Sequence, residues 1–210
     1  MQLAVLGATG GTGTLVVEQA LAEGHSVTAV VRRDWTGPRH RRLRVAVADA
    51  LDPGSLPPAL AGTDVVLSAL GSAQARRPTR VYSAGATAIL TAMREVGIRR
   101  LVAVTALPIA PAAGQDLLHR RLVHPLLHRF FGGAYEDMRR MEAVLLDSDS
   151  DWTVFRPPYL RNGPATGTWR FAVDAPLPRA WTLRRADLAA AMLAATRDDR
   201  LVRRSVNLAA

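Results

Sequence analysis

The chain opens with Gln2-Leu3-Ala4-Val5-Leu6-Gly7-Ala8-Thr9-Gly10-Gly11-Thr12-Gly13-Thr14, and continues through Leu15, Val16, Ala20 and Leu21 to Val27-Thr28-Ala29-Val30-Val31. A short apolar run, glycines at every third position and a helical repeat of apolar residues follow one another without interruption. That order reads as strand, tight turn and helix. Each glycine has a physical use: a sharp turn at Gly7, close backbone approach to an anion at Gly10, and close helix-to-strand packing at Gly13. The free N–H groups at the helix start then face the anion. The stretch predicts a dinucleotide pyrophosphate site, and its plain alternative is a structural glycine turn.

Outward from this unit the pattern repeats. Arg44 to Ala48, Asp64 to Leu70, Leu101 to Val104 and Trp152 to Arg156 are further apolar runs of strand length. Short continuous runs suit strands covered on both faces. Val81, Ala84, Ala88, Ile89, Ala92, Met93 and Val96 recur at helical spacing, with Gly97 placed to cap the C-terminus. A further helix carries Met138, Met141, Val144 and Leu145. Alternating strands and helices predict a single α/β domain of the Rossmann type, a doubly wound parallel sheet with ligands at the carboxyl ends of its strands. Two stretches read as irregular, 108–133 and 160–181; both follow strands and are expected to cap the substrate side.

The end of the second strand reads Val31-Arg32-Arg33-Asp34. A carboxylate there accepts from a ribose 2′-hydroxyl, whereas a guanidinium fork meets a 2′-phosphate, so Arg32 and Arg33 favour NADP(H) over NAD. The alternatives are an arginine pair placed by composition, and Asp34 turned inward to the ribose. Asp49 and Ala50, after the third strand, are placed for the adenine edge; Asp49 is equally suited to cap the segment that follows.

All 27 basic residues among the 210 are arginine, and the chain has no cysteine. That excludes a Schiff-base lysine, a phosphate-loop lysine, thiol nucleophiles and thiolate metal sites. The net charge of +9 raises the question of an anionic partner. Its densest run, Arg39 to Arg44, lacks interleaved aromatics and precedes a core strand, which predicts a solvated loop and no nucleic-acid partner. No apolar run reaches the roughly 18 residues that cross a bilayer, so no membrane association is expected. The first residues lack a basic leader region, and a cytoplasmic location is expected. His124 and His128 stand four apart with His119 nearby, but Pro125 interrupts the segment and no carboxylate joins it, so no metal is expected.

Taken together, GATGGTG at Gly7, VVRR at Val30, SALGS at Ser68, MREVGIRRLVAVT at Met93, DMRRMEAVL at Asp137 and DWTVFRPPYL at Asp151 resemble the atypical short-chain dehydrogenases/reductases of the NAD(P)H-binding, NmrA-like group. Within it the likeness is to the biliverdin reductase B, or NADPH-dependent flavin reductase, type. The resemblance implies that Gly7, Thr9, Gly10, Gly11, Thr12 and Gly13 cradle the pyrophosphate and Arg32 the 2′-phosphate. It further implies Asp49 and Ala50 at the adenine, Leu70 and Gly71 under the ribose, and Thr105 with Pro157, Pro158, Tyr159 and Leu160 around the nicotinamide. Flavin then enters as a substrate and not as a prosthetic group. Two positions depart from the flavin-reductase type: Tyr159 replaces a histidine and Ala106 a serine.

Short-chain reductases commonly pair a tyrosine with a lysine that lowers its pKa. Here Tyr135-Glu136-Asp137-Met138-Arg139 supplies Tyr-x-x-x-Arg, and a guanidinium does not shuttle a proton. The catalytic candidates are Thr105, Tyr135 and Tyr159. Tyr135 is equally readable as an aromatic packed beside Phe130 and Phe131 at a helix start, and Tyr159 as wall packing. The expected function is an NADPH-dependent reductase that passes hydride to a conjugated or aromatic small molecule such as a flavin or quinone, acting as a monomer or homodimer. The alternatives are a redox-silent NADP(H) sensor and a cofactor-retaining isomerase or cyclase.

Overall fold

A computed structural model of the chain describes residues 1–35, 37, 39–72, 79–110 and 124–210, the backbone alone for 124–128. The apolar runs form strands, with ends shifted by a residue or two: β1 (Gln2–Leu6), β2 (Ser26–Val31), β3 (Leu43–Val47), β4 (Val65–Ser68), β5 (Arg100–Val104) and β6 (Asp151–Arg156). Four more follow, β7 (Tyr159–Arg161), β8 (Arg170–Val173), β9 (Thr182–Arg184) and β10 (Arg204–Ala209). The main sheet has eight strands in the order β3-β2-β1-β4-β5-β6-β10-β8. All its pairings are parallel except β10 with β8. β7 and β9 form a separate parallel ribbon, with Tyr159 opposite Thr182.

Helices cover both faces, as a buried parallel sheet requires. α1 (Gly11–Ala22) and α5 (Arg185–Ala195) pack Val16, Val17, Leu188 and Met192 against one face. α2 (Leu56–Leu60), α3 (Val81–Glu95) and α4 (His124–Leu146) cover the other with Leu60, Ile89, Met93 and Leu145. Leu3, Ala4, Val5 and Leu6 of β1 are at most 1% exposed, which puts this strand in the middle of the core. Full burial of a leucine or valine side chain such as Leu3, Val5 or Leu6 contributes about 1.5–3 kcal/mol.

Both ends of α3 are secured from outside its own ladder. At its C-terminus Gly97 adopts φ +76°, letting the Gly97 N–H donate to Arg94 O and the Ile98 N–H to Met93 O at 2.8 Å, the reversal expected of that glycine. At its N-terminus the fully buried carboxylate of Asp137, on α4, accepts from the Tyr82 N–H at 3.0 Å and from the Ser83 hydroxyl. α4 thereby serves as the cap of α3.

The irregular stretches need correction. Among the described residues α4 runs from His124, and Pro125 lies within it without interrupting it. Tyr135 is then well inside the helix and not at its start. Residues 111–123, with His119, and the side chains of His124 and His128 lie outside the described residues. The stretch 160–181 carries β8 and most of β7, strands too short to show an apolar period.

Candidate functional site

The chain leaves β1 for β2 on one side and later enters β4 on the other, so the C-terminal ends of β1 and β4 diverge around a crevice. Ligands bind at such switch points. A cavity of about 950 Å³ opens there, at the top of the roughly 300–1,000 Å³ range of ligand pockets.

The glycine loop forms its floor. Gly7 has φ +74°, and a Cβ there would stand 2.5 Å from Ala69 O; one on Gly13 would stand 2.1 Å from Gly7 O. Neither position admits a side chain. The turn closes with the Gly10 N–H donating to Gly7 O at 2.9 Å, and the helical ladder opens with Thr14 N–H donating to Gly10 O at 2.9 Å. Gly10 caps α1 without a side-chain bond, which leaves the first N–H groups of the helix for an anion. The Thr14 hydroxyl ties the loop to Ala8 O at 2.9 Å.

Of the expected residues, Gly7, Thr9, Gly10, Gly11, Thr12, Arg32, Asp49, Ala50, Leu70, Gly71, Thr105 and Leu160 line the cavity. Gly13 lies buried behind the loop. Asp49 lines the cavity and its Oδ1 accepts from the Leu51 N–H at 2.9 Å, while the helical turn that follows is capped by Asp52, whose side chain accepts from the Gly54 N–H. Arg33, Tyr135, Pro157, Pro158 and Tyr159 are not among the lining residues. Tyr159 sits on β7, 75% exposed, while Tyr135 is buried on α4 with its ring 6.1 Å from that of Phe131. Burial, and then the neighbouring Tyr82, push the Tyr135 phenol above its ordinary pKa.

Three features are additions to the sequence reading. Beneath Thr105 stands a carboxylate lock: the Thr105 hydroxyl donates to Glu142 Oε1 at 2.8 Å, and the Arg156 guanidinium donates to both Glu142 oxygens, Nε at 2.9 Å. The pair comes from the DMRRMEAVL and DWTVFRPP segments, but only the register of α4 against β5 and β6 reveals it. Tyr82, at the start of α3, lines the cavity at 6% exposure, and its hydroxyl accepts from the Ser72 N–H at 3.3 Å. Burial is the main cause that raises its pKa, with Asp137 adding to the shift. Arg185, at the start of α5, lines the cavity from the side opposite Tyr82's helix layer.

A glycine-floored crevice at a parallel-sheet switch point, bordered by a guanidinium at the end of β2, defines a Rossmann-type dinucleotide-binding protein. The residues fit such a ligand because the loop excludes side chains where a pyrophosphate would lie. The chain belongs to the NAD(P)H-binding family, whose model matches residues 7–199. A protein of Burkholderia pseudomallei described as exported is 28% identical, with full coverage of both chains and a TM-score of 0.80. A short-chain dehydrogenase/reductase of Veillonella parvula, solved in complex with NADP, is 18% identical over all of this chain and 94% of its own, at a TM-score of 0.83. ChuY of Escherichia coli O157:H7, an anaerobilin reductase, is 24% identical over all of this chain and 97% of its own, at a TM-score of 0.76. The two latter likenesses establish the fold. No helix among the described residues is long and apolar enough to cross a membrane.

Proposed function

We propose that this protein is an NADPH-dependent reductase of a conjugated or aromatic small molecule, of the flavin, quinone or tetrapyrrole kind. The observation that carries the reading is one cavity lined both by Arg32 and Asp49, which follow β2 and β3, and by Thr105, which follows β5 on the far side of β1 and β4, with Met138 and Tyr82 also in its lining. Arg32 would meet the 2′-phosphate and the glycine loop the pyrophosphate, which brings the nicotinamide towards Thr105. The bound cofactor would supply the hydride. Because the Thr105 hydroxyl donates its proton to Glu142, its oxygen is left as an acceptor at the cavity lining, where it would suit the carboxamide N–H₂. The family likeness and the reductase among the structural neighbours support this assignment; the closer likeness to biliverdin reductase B remains part of the proposal.

Each hydride delivered to a conjugated acceptor needs one proton on the acceptor heteroatom. Tyr82 supplies it in this reading, being the titratable hydroxyl among the described cavity-lining residues. Its oxygen already accepts from Ser72, so its own proton is available for donation. Water at the cavity mouth restores it. With the phenol held above its ordinary pKa by burial and no lysine to counter this, Tyr82 acts at neutral pH as a donor and not as a base.

The test is loss of reduced-nicotinamide absorbance with a panel of flavins, quinones and tetrapyrroles. Tyr82→Phe is expected to lower kcat by about 100-fold, the lower range for general-acid groups, with NADPH affinity unchanged. Tight NADPH binding without turnover on any acceptor would refute the reductase and favour a redox-silent sensor.

A further inference from the structure

We propose that Arg185 is a pyrophosphate clamp, a second cofactor-binding arginine that also ties the cofactor to the strand at the substrate mouth. The inference rests on the dinucleotide reading of the glycine loop. A Cβ built on Gly11 would stand 3.2 Å from Arg185 Cδ and 3.3 Å from its Nε, so this side chain lies directly across the N-terminus of α1. That is where free backbone N–H groups await an anion. Arg185 and Arg32 are the two guanidinium groups among the described lining residues, and Arg32 stands at the other end, after β2.

The surroundings of Arg185 call for an anion. It is the first residue of α5, where the helix dipole disfavours a cation. Among the described residues no carboxylate pairs with it. The acid in the same turn, fully buried Asp187, is occupied instead by the Thr166 N–H and hydroxyl and the Gly167 N–H. Only one arm of the guanidinium is engaged: Nη1 donates to Leu160 O at 3.1 Å and to Asn162 Oδ1 at 2.7 Å. Nη2 and Nε remain for phosphate oxygens, a geometry that suits the planar fork. Since Leu160 lies on β7 and lines the cavity, an occupied clamp braces this strand from the cofactor side.

Binding measured by calorimetry separates the two arginines. Arg185→Met is expected to weaken NADP⁺ and NAD⁺ by the same factor, about 10- to 100-fold, and to leave adenosine 2′-monophosphate unaffected. Arg32→Ala should weaken NADP⁺ and adenosine 2′-monophosphate and spare NAD⁺. Arg185→Lys keeps the charge without the fork and should fall between wild type and Arg185→Met; it covers the case in which methionine disturbs the fold. In wild type, NADP⁺ should slow amide exchange at residues 160–162, and in Arg185→Met it should not. Unchanged NAD⁺ affinity in both Arg185 variants overturns the clamp alone, and wild-type protein that binds neither dinucleotide overturns the glycine-loop reading along with it.

Discussion

Replacing Glu142 with alanine probes the lock beneath the cavity. Its carboxylate holds the Arg156 guanidinium with both oxygens and receives the Thr105 hydroxyl, and the paired side chains are 12% and 16% exposed. Removing one partner of a buried pair costs about 3–5 kcal/mol, because the remaining charge stays desolvated and unpaired. The residual exposure puts this pair at the lower end, about 3 kcal/mol. A domain of this size loses about 2–4 °C in Tm per kcal/mol, so Glu142→Ala should melt about 6–12 °C below wild type by scanning calorimetry. Replacing both partners, Glu142→Leu with Arg156→Met, removes the stranded charge and should recover most of that loss. Turnover should not recover, because Thr105 lacks its acceptor in both variants and its hydroxyl is free to rotate. A double variant as unstable as the single one would refute the ion-pair account. A double variant with wild-type turnover would refute the positioning of Thr105.

Two further perturbations check other parts of the structure. Arg32→Ala should lower NADP⁺ affinity by about 10- to 100-fold, the loss of a charge-assisted bond, with NAD⁺ within about twofold of wild type; equal losses in fluorescence titration would remove the 2′-phosphate role. His25 is 4% exposed, and burial, then the terminal amino group, then Arg197 hold its pKa below the ordinary value of 6.5. The unfolded chain therefore takes up a proton before the folded one does, so stability is full above about pH 6.5 and is lost as pH falls towards the folded pKa. Tm should decline as pH falls below about 6.5, and His25→Gln should flatten that decline; identical slopes would show that His25 does not set it.

β1, β2, β4, β5 and β6 were legible because they are buried on both faces and so read as apolar runs, and the edge strand β3, with Val45 and Val47 exposed, was legible from its β-branched residues alone. The glycine loop was legible for a related reason: a close approach leaves no substitute for glycine at Gly7 and Gly13. β10 was not, since Ser205 and Asn207 break its apolar run, although Val206, Leu208 and Ala209 are buried. Residues 124–133 of α4 read as part of an irregular stretch because Pro125 suggests an interruption. In the site, residues immediately after strands were found, since strand ends fix their location. Those presented by helix faces, Tyr82, Met138 and Glu142, depend on how α3 and α4 turn against the sheet, and that is decided by Asp137 capping α3 from a helix distant in sequence. Arg185 escaped notice because β9 and α5 carry no motif, only a short apolar period after Thr182.

Among the described residues, backbone carbonyls engage many of the arginines, alongside the carboxylate partners of others. Arg203 donates from Nη2 to Leu146 O, the last residue of α4, at 3.0 Å, and from Nη1 to Ser148 O at 2.7 Å. Arg100 reaches Ala195 O at the end of α5 and Asp151 O on β6 together. Arg44 donates to Ala59 O in the last turn of α2 at 2.7 Å, and Arg170 to the carbonyls of Pro178, Arg179 and Ala210. Carbonyls at helix ends have no donor from within the helix, and the dipole there favours a cation. A guanidinium fork serves two or three of them with one charge, where an ammonium offers a compact, strongly hydrated point. The same geometry explains why Arg32 and Arg185 stand apart. Both line the cavity floored by the glycine loop, and in the proposed reading the phosphates of a bound dinucleotide would complete them, whereas Arg44, Arg100, Arg170 and Arg203 serve the scaffold.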